Sequence, residues 1–372
     1  MRKPILRAGV AAATAAVLAA CGGTASTEGM PDQIVWSTYG TGTSTYADVA
    51  AVADAITTNE GSTVRVITSD TAIGRMTPLR EKQAQLARTG DEYIFSFEGD
   101  YDFATEEWGP QDVRTVWMPV APHGLLVKDD SGIETFEDLR GRKFPTITAN
   151  PSVNNKLEAF LAYGGLTWDD VEVVEVGYSD QPAALQAGSI DVLFQQVYGP
   201  SLYELESAVP VRWLDMEDTS AEKLQTVQEV APSVVIGEFS GAPGQEDGEK
   251  TNGLIYSVPV VTYADVEEET IYNIVKAIHD NYAAYAKTTP TTPDWSIDAA
   301  QVVPREVPFH DGAVKFLEEK GAWTPEAQET QEALIKRGEE LRAGWPEFLE
   351  QTEGGELAEA WTEWKSQNME TP

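Results

Sequence analysis

Catalysis by a nucleophile or a metal needs residue types that this chain uses sparingly. The histidines are His123, His279 and His310, and Cys21 is the one cysteine. A hydrolytic triad needs a nucleophile beside a base, and a zinc site needs several ligands at set spacings. Neither pattern occurs, and neither does a Gly-x-Ser-x-Gly turn or a Walker lysine. We therefore expect no enzyme, no metal and no cofactor, and His310 is predicted to be structural or helix-capping.

Small hydroxyls and amides, by contrast, recur after the predicted strands. In open α/β sheets, ligands bind beyond the carboxyl ends of the strands, where helix N-termini present unpaired N–H groups. Capping of a helix explains each single hydroxyl equally well, so the collective placement carries the prediction of a small polar ligand. The predicted ligand-binding residues are Gly42, Thr43, Ser44, Tyr46, Ser69, Thr71, Arg75 and Ser96 from one half, and Asn150, Ser152, Asn154, Gln195, Gln196 and Tyr198 from the other.

Three of these side chains have individual predicted roles. Tyr46 would cover one face of the solute while its hydroxyl forms a hydrogen bond. Arg75, placed in a loop of a very acidic protein, could grip a solute carboxylate bidentately, and a surface salt bridge is the alternative. Gln195 would reach in from the opposite half.

The elements that must position these residues follow from strand and helix signals. Strands are predicted at residues 34–36, 64–67, 93–95, 143–148, 171–176 and 190–194. Helices are predicted after the first loop, from Thr77-Pro78 to Gly90, from Asn150-Pro151 to Gly164, and from Asp180 to Gly188. Strands that alternate with helices predict an α/β fold with mostly parallel sheets.

Two extended, proline-marked stretches, 113–127 and 254–261, interrupt this alternation and are predicted to be crossovers between two lobes. Beyond residue 263 the chain is predicted to be almost entirely helical, with Thr324-Pro325 starting a long helix. The predicted organisation is a signal peptide at 1–20, a spacer at 21–32, one lobe from 33–118 plus 258–372, and a second lobe from 119–257.

The N-terminus carries a secretion signal. Basic residues precede an apolar run at 8–20 that is too short to span a bilayer as a mature helix. The run ends in Leu18-Ala19-Ala20-Cys21-Gly22, which resembles a bacterial lipoprotein signal and implies lipidation of Cys21. An ordinary secretory signal with a free thiol is the alternative. We expect an extracytoplasmic protein anchored to the bacterial cell membrane by lipid.

Charge excludes one class of partner. The 372 residues include 26 Lys and Arg against 61 Asp and Glu, for a formal net charge of −35. Such a field repels nucleic-acid phosphates, so no nucleic-acid partner is expected. The acidity itself is typical of a solubility adaptation.

Several segments together resemble a known family. They are 40–46, 136–143 (Phe-Glu-Asp-Leu-Arg-Gly-Arg-Lys), 183–191 (Ala-Ala-Leu-Gln-Ala-Gly-Ser-Ile-Asp) and 307–316, followed by Trp323. This set resembles the TAXI branch of TRAP-transporter solute-binding proteins. The resemblance implies a two-lobed type II periplasmic-binding-protein fold with the ligand in the interlobe cleft. The family's glycine-rich loop is replaced in this chain by Asn150-Pro151-Ser152-Val153-Asn154. The glutamate-like and dicarboxylate ligands of that family are therefore not predicted for this chain.

The resulting functional expectation is a monomeric receptor that binds a small polar solute, with or without a carboxylate, and delivers it to a TRAP-type ion-driven permease. Alternatives are the receptor of an ABC transporter or a sensor, a secreted hydrolase and a structural lipoprotein.

Overall fold

The structure is a computed structural model that describes residues 29–352 and 357–369. The predicted signal peptide, Cys21 and the spacer up to residue 28 lie outside the described residues. The strands are β1 Gln33–Thr38, β2 Thr63–Thr68, β3 Leu86–Arg88, β4 Val113–Trp117, β5 Val120–Lys128, β6 Lys143–Ile147, β7 Glu172–Val176, β8 Val192–Gln196, β9 Val211–Trp213, β10 Val235–Ser240, β11 Lys250–Ser257 and β12 Val260–Tyr263. The helices are α1 Ser44–Glu60, α2 Ala72–Arg80, α3 Glu92–Glu98, α4 Pro151–Tyr163, α5 Gln181–Ala187, α6 Pro200–Ala208, α7 Ala221–Val230, α8 Glu268–Asp280, α9 Tyr282–Tyr285, α10 Asp311–Glu319, α11 Pro325–Gln351 and α12 Leu357–Asn368.

The first lobe is built on a five-stranded sheet in the order β2-β1-β3-β12-β4. β1 runs parallel to β2 and β3, while β12 is antiparallel to both of its neighbours. Apolar residues of α1, α8 and α10 form one core with the sheet, and those of α2, α3, α11 and α12 form another. This lobe is therefore a sheet with a hydrophobic core and helices on each face.

The second lobe contains a four-stranded antiparallel sheet, β10-β11-β5-β8, with β9 also paired to β5. A separate parallel pair, β6 with β7, completes it. The prediction of mostly parallel sheets is thus wrong for this lobe. The reason is that residues 235–257 form a hairpin and that β5 enters from the first lobe, so consecutive helix crossovers do not set its strand directions.

The chain passes between the two lobes twice among the strands, each time across two residues. β4 and β5 are joined by Met118 and Pro119, and β11 and β12 by Val258 and Pro259; Val258 N donates to Pro119 O at 3.1 Å. The stretches predicted as crossovers, 113–127 and 254–261, contain these two links. The two-lobed α/β fold and the helical C-terminal region are confirmed.

Two predicted elements are wrong. Residues 77–90 do not form a helix, because α2 already begins at Ala72, Pro78 lies inside it, and Lys82 with φ 57° follows its end. Residues 86–88 are instead the buried strand β3 at the centre of the sheet. The predicted strand at 93–95 lies in α3, where Tyr93, Phe95 and Phe97 are all buried. Buried aromatic residues at alternate positions are typical of a strand. Here they occur in a helix because other elements cover this short helix on most sides.

Capping residues predicted for the starts of other helices are confirmed for α4, α10 and α11. Asn150 caps α4 by accepting from Val153 N at 3.3 Å, and Thr324 caps α11 by accepting from Ala327 N at 3.1 Å. His310 is the helix-capping residue that was predicted, since its Nδ1 accepts from Gly312 N at 3.1 Å while Nε2 donates to Val266 O at 3.0 Å. Among residues 29–352 and 357–369, no helix has the length and apolarity to cross a membrane.

Candidate functional site

Three strand ends meet where the lobes face each other. Thr38 ends β1 and is followed by Tyr39, Arg88 ends β3, and Gln195 and Gln196 end β8 in the other lobe. All of these residues are buried. We refer to Tyr39, Asp48, Arg75, Arg88, Asp91, Glu92, Lys156, Tyr178, Gln195 and Gln196 as the interlobe cluster.

Arg75 and Glu92 form the first buried ion pair of the cluster. Arg75 Nε donates to Glu92 Oε1 at 2.7 Å, Nη1 donates to Ser69 O at 2.9 Å, and Nη2 also contacts the Glu92 carboxylate. The Tyr39 ring lies against the guanidinium, with 3.6 Å from Cζ to the ring centroid. Burial alone would lower the pKa of Arg75, but the charge and hydrogen bond of Glu92, together with Tyr39 and Asp70, outweigh burial and the pKa is raised. Arg75 therefore stays charged and is held on one face by an aromatic ring.

Arg88 and Asp48 form a second buried pair. Arg88 Nη1 donates to Asp48 Oδ2 at 2.7 Å and to Thr45 O at 3.2 Å. The other carboxylate oxygen, Asp48 Oδ1, accepts from Thr291 Oγ1 at 2.7 Å. Here burial prevails over the attraction of Asp48, so the pKa of Arg88 is lowered from its usual value.

The third pair, Lys156 with Asp91, connects the lobes. Lys156 Nζ on α4 contacts Asp91 Oδ2, which also accepts from Ser233 Oγ at 3.0 Å. The backbone N–H of Asp91 donates to Ser152 Oγ at 2.8 Å. Side chains of the second lobe therefore bind the segment that follows β3 in the first.

The two glutamines at the end of β8 each use one polar side-chain atom in a hydrogen bond. Gln195 Nε2 donates to Tyr178 O at 3.2 Å, and Gln196 Oε1 accepts from Thr45 Oγ1 at 3.0 Å. In the part of the chain that the structure describes, Gln195 Oε1 and Gln196 Nε2 are buried and form no hydrogen bond. The same holds there for Glu92 Oε2, Arg88 Nη2 and the hydroxyl of Thr89. A buried polar atom without a partner costs about 1 to 3 kcal/mol, so such atoms in both lobes of the cluster indicate a ligand or water as the missing partner.

Two further sets of contacts close the lobes at the rim of the cluster. Asp70, which is partly exposed, accepts from Ser179 N at 3.1 Å, from Ser179 Oγ at 2.8 Å and from Gly40 N at 3.2 Å. Gly42 O accepts from Ser201 N at 3.0 Å. The structure is thus a closed form in which lobe contacts surround the cluster.

Burial controls protonation among the aromatic neighbours. Burial raises the pKa of Tyr39 and of Tyr178, so both phenols are neutral hydrogen-bond donors at neutral pH. Burial also lowers the pKa of His123 to about 3, assisted by the positive charges of Lys156 and Arg88. His123 stacks on Tyr256 with 4.1 Å between ring centroids and donates Nδ1–H to Ala121 O at 3.1 Å.

Some predicted site residues contact the opposite lobe. Gly42, Asn150, Ser152 and Gln196 form hydrogen bonds to it, and Asn150 Nδ2 donates to Asp70 O at 3.1 Å. Gln195 lies beside them, since a Cβ built on Gly199 would lie 3.5 Å from Gln195 Oε1 and 3.3 Å from Gly42 O.

Other predicted site residues form hydrogen bonds within their own lobe. Thr43 and Thr71 accept from the backbone N–H of Tyr46 and Gly74, both at 3.2 Å, as helix caps. Ser44 Oγ lies 3.4 Å from Thr291 Oγ1, which is distant in sequence but in the same lobe. The other side chains bind close to their own elements: Ser69 Oγ to Thr71 Oγ1 at 3.2 Å, Ser96 Oγ to Tyr93 O at 3.2 Å, and Asn154 Oδ1 to Ile147 N at 2.7 Å.

The predicted settings of Arg75 and Ser96 are wrong, and Tyr46 and Tyr198 lie outside the interlobe cluster. Arg75 lies in α2, not in a loop, and its carboxylate partner is Glu92; the alternative of a surface salt bridge is also wrong, because both side chains are fully buried. Ser96 lies within α3 and does not follow a strand. Tyr46 is partly exposed on α1, and the ring over the arginine is that of Tyr39. Tyr198 donates to Ser240 O at 2.8 Å and lines a groove outside the cluster.

That groove has a volume of about 760 Å³ and runs between α1 and the start of α6. Its walls are alanine methyl groups of α1, among them Ala47 and Ala51, facing Tyr198 and Tyr203. It presents an apolar surface, in contrast to the polar interlobe cluster.

Sequence reasoning missed seven residues of the cluster: Tyr39, Asp48, Arg88, Asp91, Glu92, Lys156 and Tyr178. Asp91 and Glu92 follow β3 closely, so the strand-end rule would have identified them had the third strand been placed at 86–88. Within the described ranges, no group of three or more His, Cys, Asp or Glu is arranged to hold a metal ion.

A protein-family model, the NMT1-like family, matches residues 37–321 and therefore most of the chain. The chain belongs to the NMT1-like family. The family match begins within β1 and includes all residues of the interlobe cluster. Comparison with curated proteins gives no match.

Solved structures similar to this NMT1-like chain are distant in sequence. The aliphatic sulphonate binding protein SsuA of Escherichia coli is 16% identical, with 78% of this chain and 86% of that chain covered and a TM-score of 0.42. SsuA of Xanthomonas axonopodis pv. citri, bound to MOPS, is 14% identical, with 80% and 96% covered and a TM-score of 0.45. A binding protein component of an ABC phosphonate transporter from Pseudomonas aeruginosa is 14% identical, with 85% and 98% covered and a TM-score of 0.45. All three are described as binding proteins.

Proposed function

We propose that this chain is a non-catalytic receptor that binds a small polar solute between its lobes and delivers it to a membrane permease. The observation that supports it most is the set of buried polar atoms without hydrogen-bond partners, Gln195 Oε1, Gln196 Nε2, Glu92 Oε2 and Arg88 Nη2, at the facing strand ends of the two lobes. A solute with matching groups would satisfy them and stabilise the closed form.

The lobes of the proposed receptor comprise 33–118 with 258–372, and 119–257, and they move about the links at Met118-Pro119 and Val258-Pro259. Links of two residues allow hinge rotation without repacking either core. Solute binding therefore couples to closure, because the contacts of Asp70 and Gly42 with the second lobe form only when the lobes meet.

The permease is proposed to be of the TRAP type, supported by the sequence segments that resemble the TAXI branch. The receptor is proposed to be a monomer outside the cytoplasm, tethered through a lipid on Cys21. Uptake of solute into membrane vesicles tests the permease type: transport driven by an ion gradient supports TRAP, and transport that requires ATP would assign the receptor to an ABC transporter.

Thermal-shift screening of amino acids, their amides, keto acids and dicarboxylates tests receptor function. Calorimetry on the best binder then compares Gln195→Leu with Gln225→Leu, an exposed glutamine of the same lobe. Loss of a hydrogen bond to a buried amide predicts at least about tenfold weaker binding for Gln195→Leu, and wild-type affinity for Gln225→Leu. A solute that binds both variants equally would remove Gln195 from the site.

A further inference from the structure

The charges of the interlobe cluster balance one another. Its three cations, Arg75, Arg88 and Lys156, are each paired with one carboxylate, Glu92, Asp48 and Asp91 respectively. All six side chains are at least nine-tenths buried. No cation among them is left over to neutralise a solute carboxylate. Burying a further net charge here would carry a desolvation cost that no opposite charge offsets.

Asp70 adds negative charge at the rim of the cluster. Asp70, at the rim, raises the pKa of Arg75 together with Glu92 and is hydrogen-bonded to Ser179 and Gly40. His123 contributes no charge at neutral pH, because its pKa is lowered to about 3. A formal net charge of −35 over the whole chain adds a repulsive field for anions.

The polar atoms that lack partners comprise acceptors and donors. Glu92 Oε2 and Gln195 Oε1 accept, and the Gln195 assignment is determined by its Nε2 donating to the carbonyl of Tyr178. Gln196 Nε2 and Arg88 Nη2 donate, and the Thr89 hydroxyl can donate or accept. A carboxylate offers acceptors only, so it could pair with the donors but would leave both acceptors unsatisfied and face the Glu92 charge.

We infer that the solute carries no net charge and offers both hydrogen-bond donors and acceptors, as a zwitterion or an uncharged amide does. This inference rests on the proposed receptor function and narrows its solute class. It assigns Glu92 the role of a specificity-determining residue that rejects anions.

Calorimetry with matched probes tests the inference. The pairs are L-glutamine with L-glutamate, L-asparagine with L-aspartate, and glutaramide with glutarate, whose members have nearly the same shape and differ in charge. We expect any pair that binds to favour the member without net charge by at least about tenfold. In Glu92→Gln, which removes one negative charge at constant shape, the preference should shrink or reverse, while Glu339→Gln, on the exposed face of α11, should keep it.

The inference is overturned if an anionic probe binds wild-type protein as tightly as its neutral partner does. It is also overturned if the solute that binds most tightly in the broader thermal-shift screen carries a net charge. Either result would leave the proposed receptor function standing. If no solute of any charge binds, the receptor function fails, and the inference fails with it. Because the main comparison uses wild-type protein, it holds even if Glu92→Gln does not fold.

Discussion

Replacing Lys156 with methionine should open the two lobes. In the closed form Lys156 is fully buried on α4 and contacts Asp91, which is nearly buried and belongs to the other lobe. Removing one partner of a buried ion pair costs about 3 to 5 kcal/mol, because the remaining charge stays buried without compensation. Opening the lobes would expose Asp91 to water and avoid that cost.

The expected shift follows from this energy. About 1.4 kcal/mol corresponds to a tenfold change in an equilibrium constant, so Lys156→Met should shift the equilibrium toward the open form by more than about a hundredfold. Electron-spin distance measurements between labels at Thr58 and Tyr203, which line opposite walls of the apolar groove, report the lobe separation in a Cys21→Ser background. We expect a longer distance in Lys156→Met without solute.

Two variants complete this experiment. Lys276→Met removes an exposed pair with Asp280 within one helix, worth about 0.3 to 0.5 kcal/mol, and should leave the distance unchanged. Asp91→Asn added to Lys156→Met removes both charges and should restore much of the closed population. The reasoning is refuted if Lys156→Met keeps the wild-type distance while its free energy of unfolding falls by about 3 to 5 kcal/mol, since the pair would then stabilise the fold and not lobe closure.

Three further predictions concern stability, pH and the anchor. Arg75→Ala leaves the Glu92 carboxylate buried without its partner and should lower the free energy of unfolding by about 3 to 5 kcal/mol in urea titrations, whereas a loss below about 0.5 kcal/mol would contradict the buried pair. Because the pKa of His123 is lowered to about 3 in the folded state, against about 6.5 when unfolded, its contribution to stability is complete above pH 6.5 and declines by up to about 1.4 kcal/mol per unit as pH falls below it. Urea titrations of His123→Phe should show a smaller decline between pH 6.5 and 5, and equal slopes would contradict the assignment. Cys21→Ser should release the protein from membranes in fractionation while leaving its melting temperature unchanged, and mass spectrometry that finds unmodified Cys21 in the native protein would contradict lipidation.

Features encoded locally were predictable from sequence. Asn150-Pro151 and Thr324-Pro325 combine a capping side chain with a proline at the first helical position, and Gly188 ends α5 with a positive φ of 73°. The proline-marked stretches predicted the crossings between lobes because a chain that passes from one sheet to another stays extended. These signals need only a few neighbouring residues.

Features set by distant contacts were not predictable in the same way. β3 has three residues, and it is a strand because β1 and β12 pair with it on both sides. Because the third strand was predicted at residues 93–95, Arg88, Asp91 and Glu92 were not recognised as residues at the end of a strand. Arg75 was singled out from sequence as an unusual cation, but its partner Glu92 lies on another helix, and nothing near Arg75 in sequence indicates that pairing.

The most direct test of solute binding between the lobes is a crystal structure of the chain with the best binder from the thermal-shift screen. We predict that the solute lies between the ends of β3 and β8, within hydrogen-bond distance of Gln195 Oε1 and Gln196 Nε2, with the Asp70–Ser179 contact intact. A solute found in the alanine-lined groove beside α1, with both glutamines unchanged, would contradict the account.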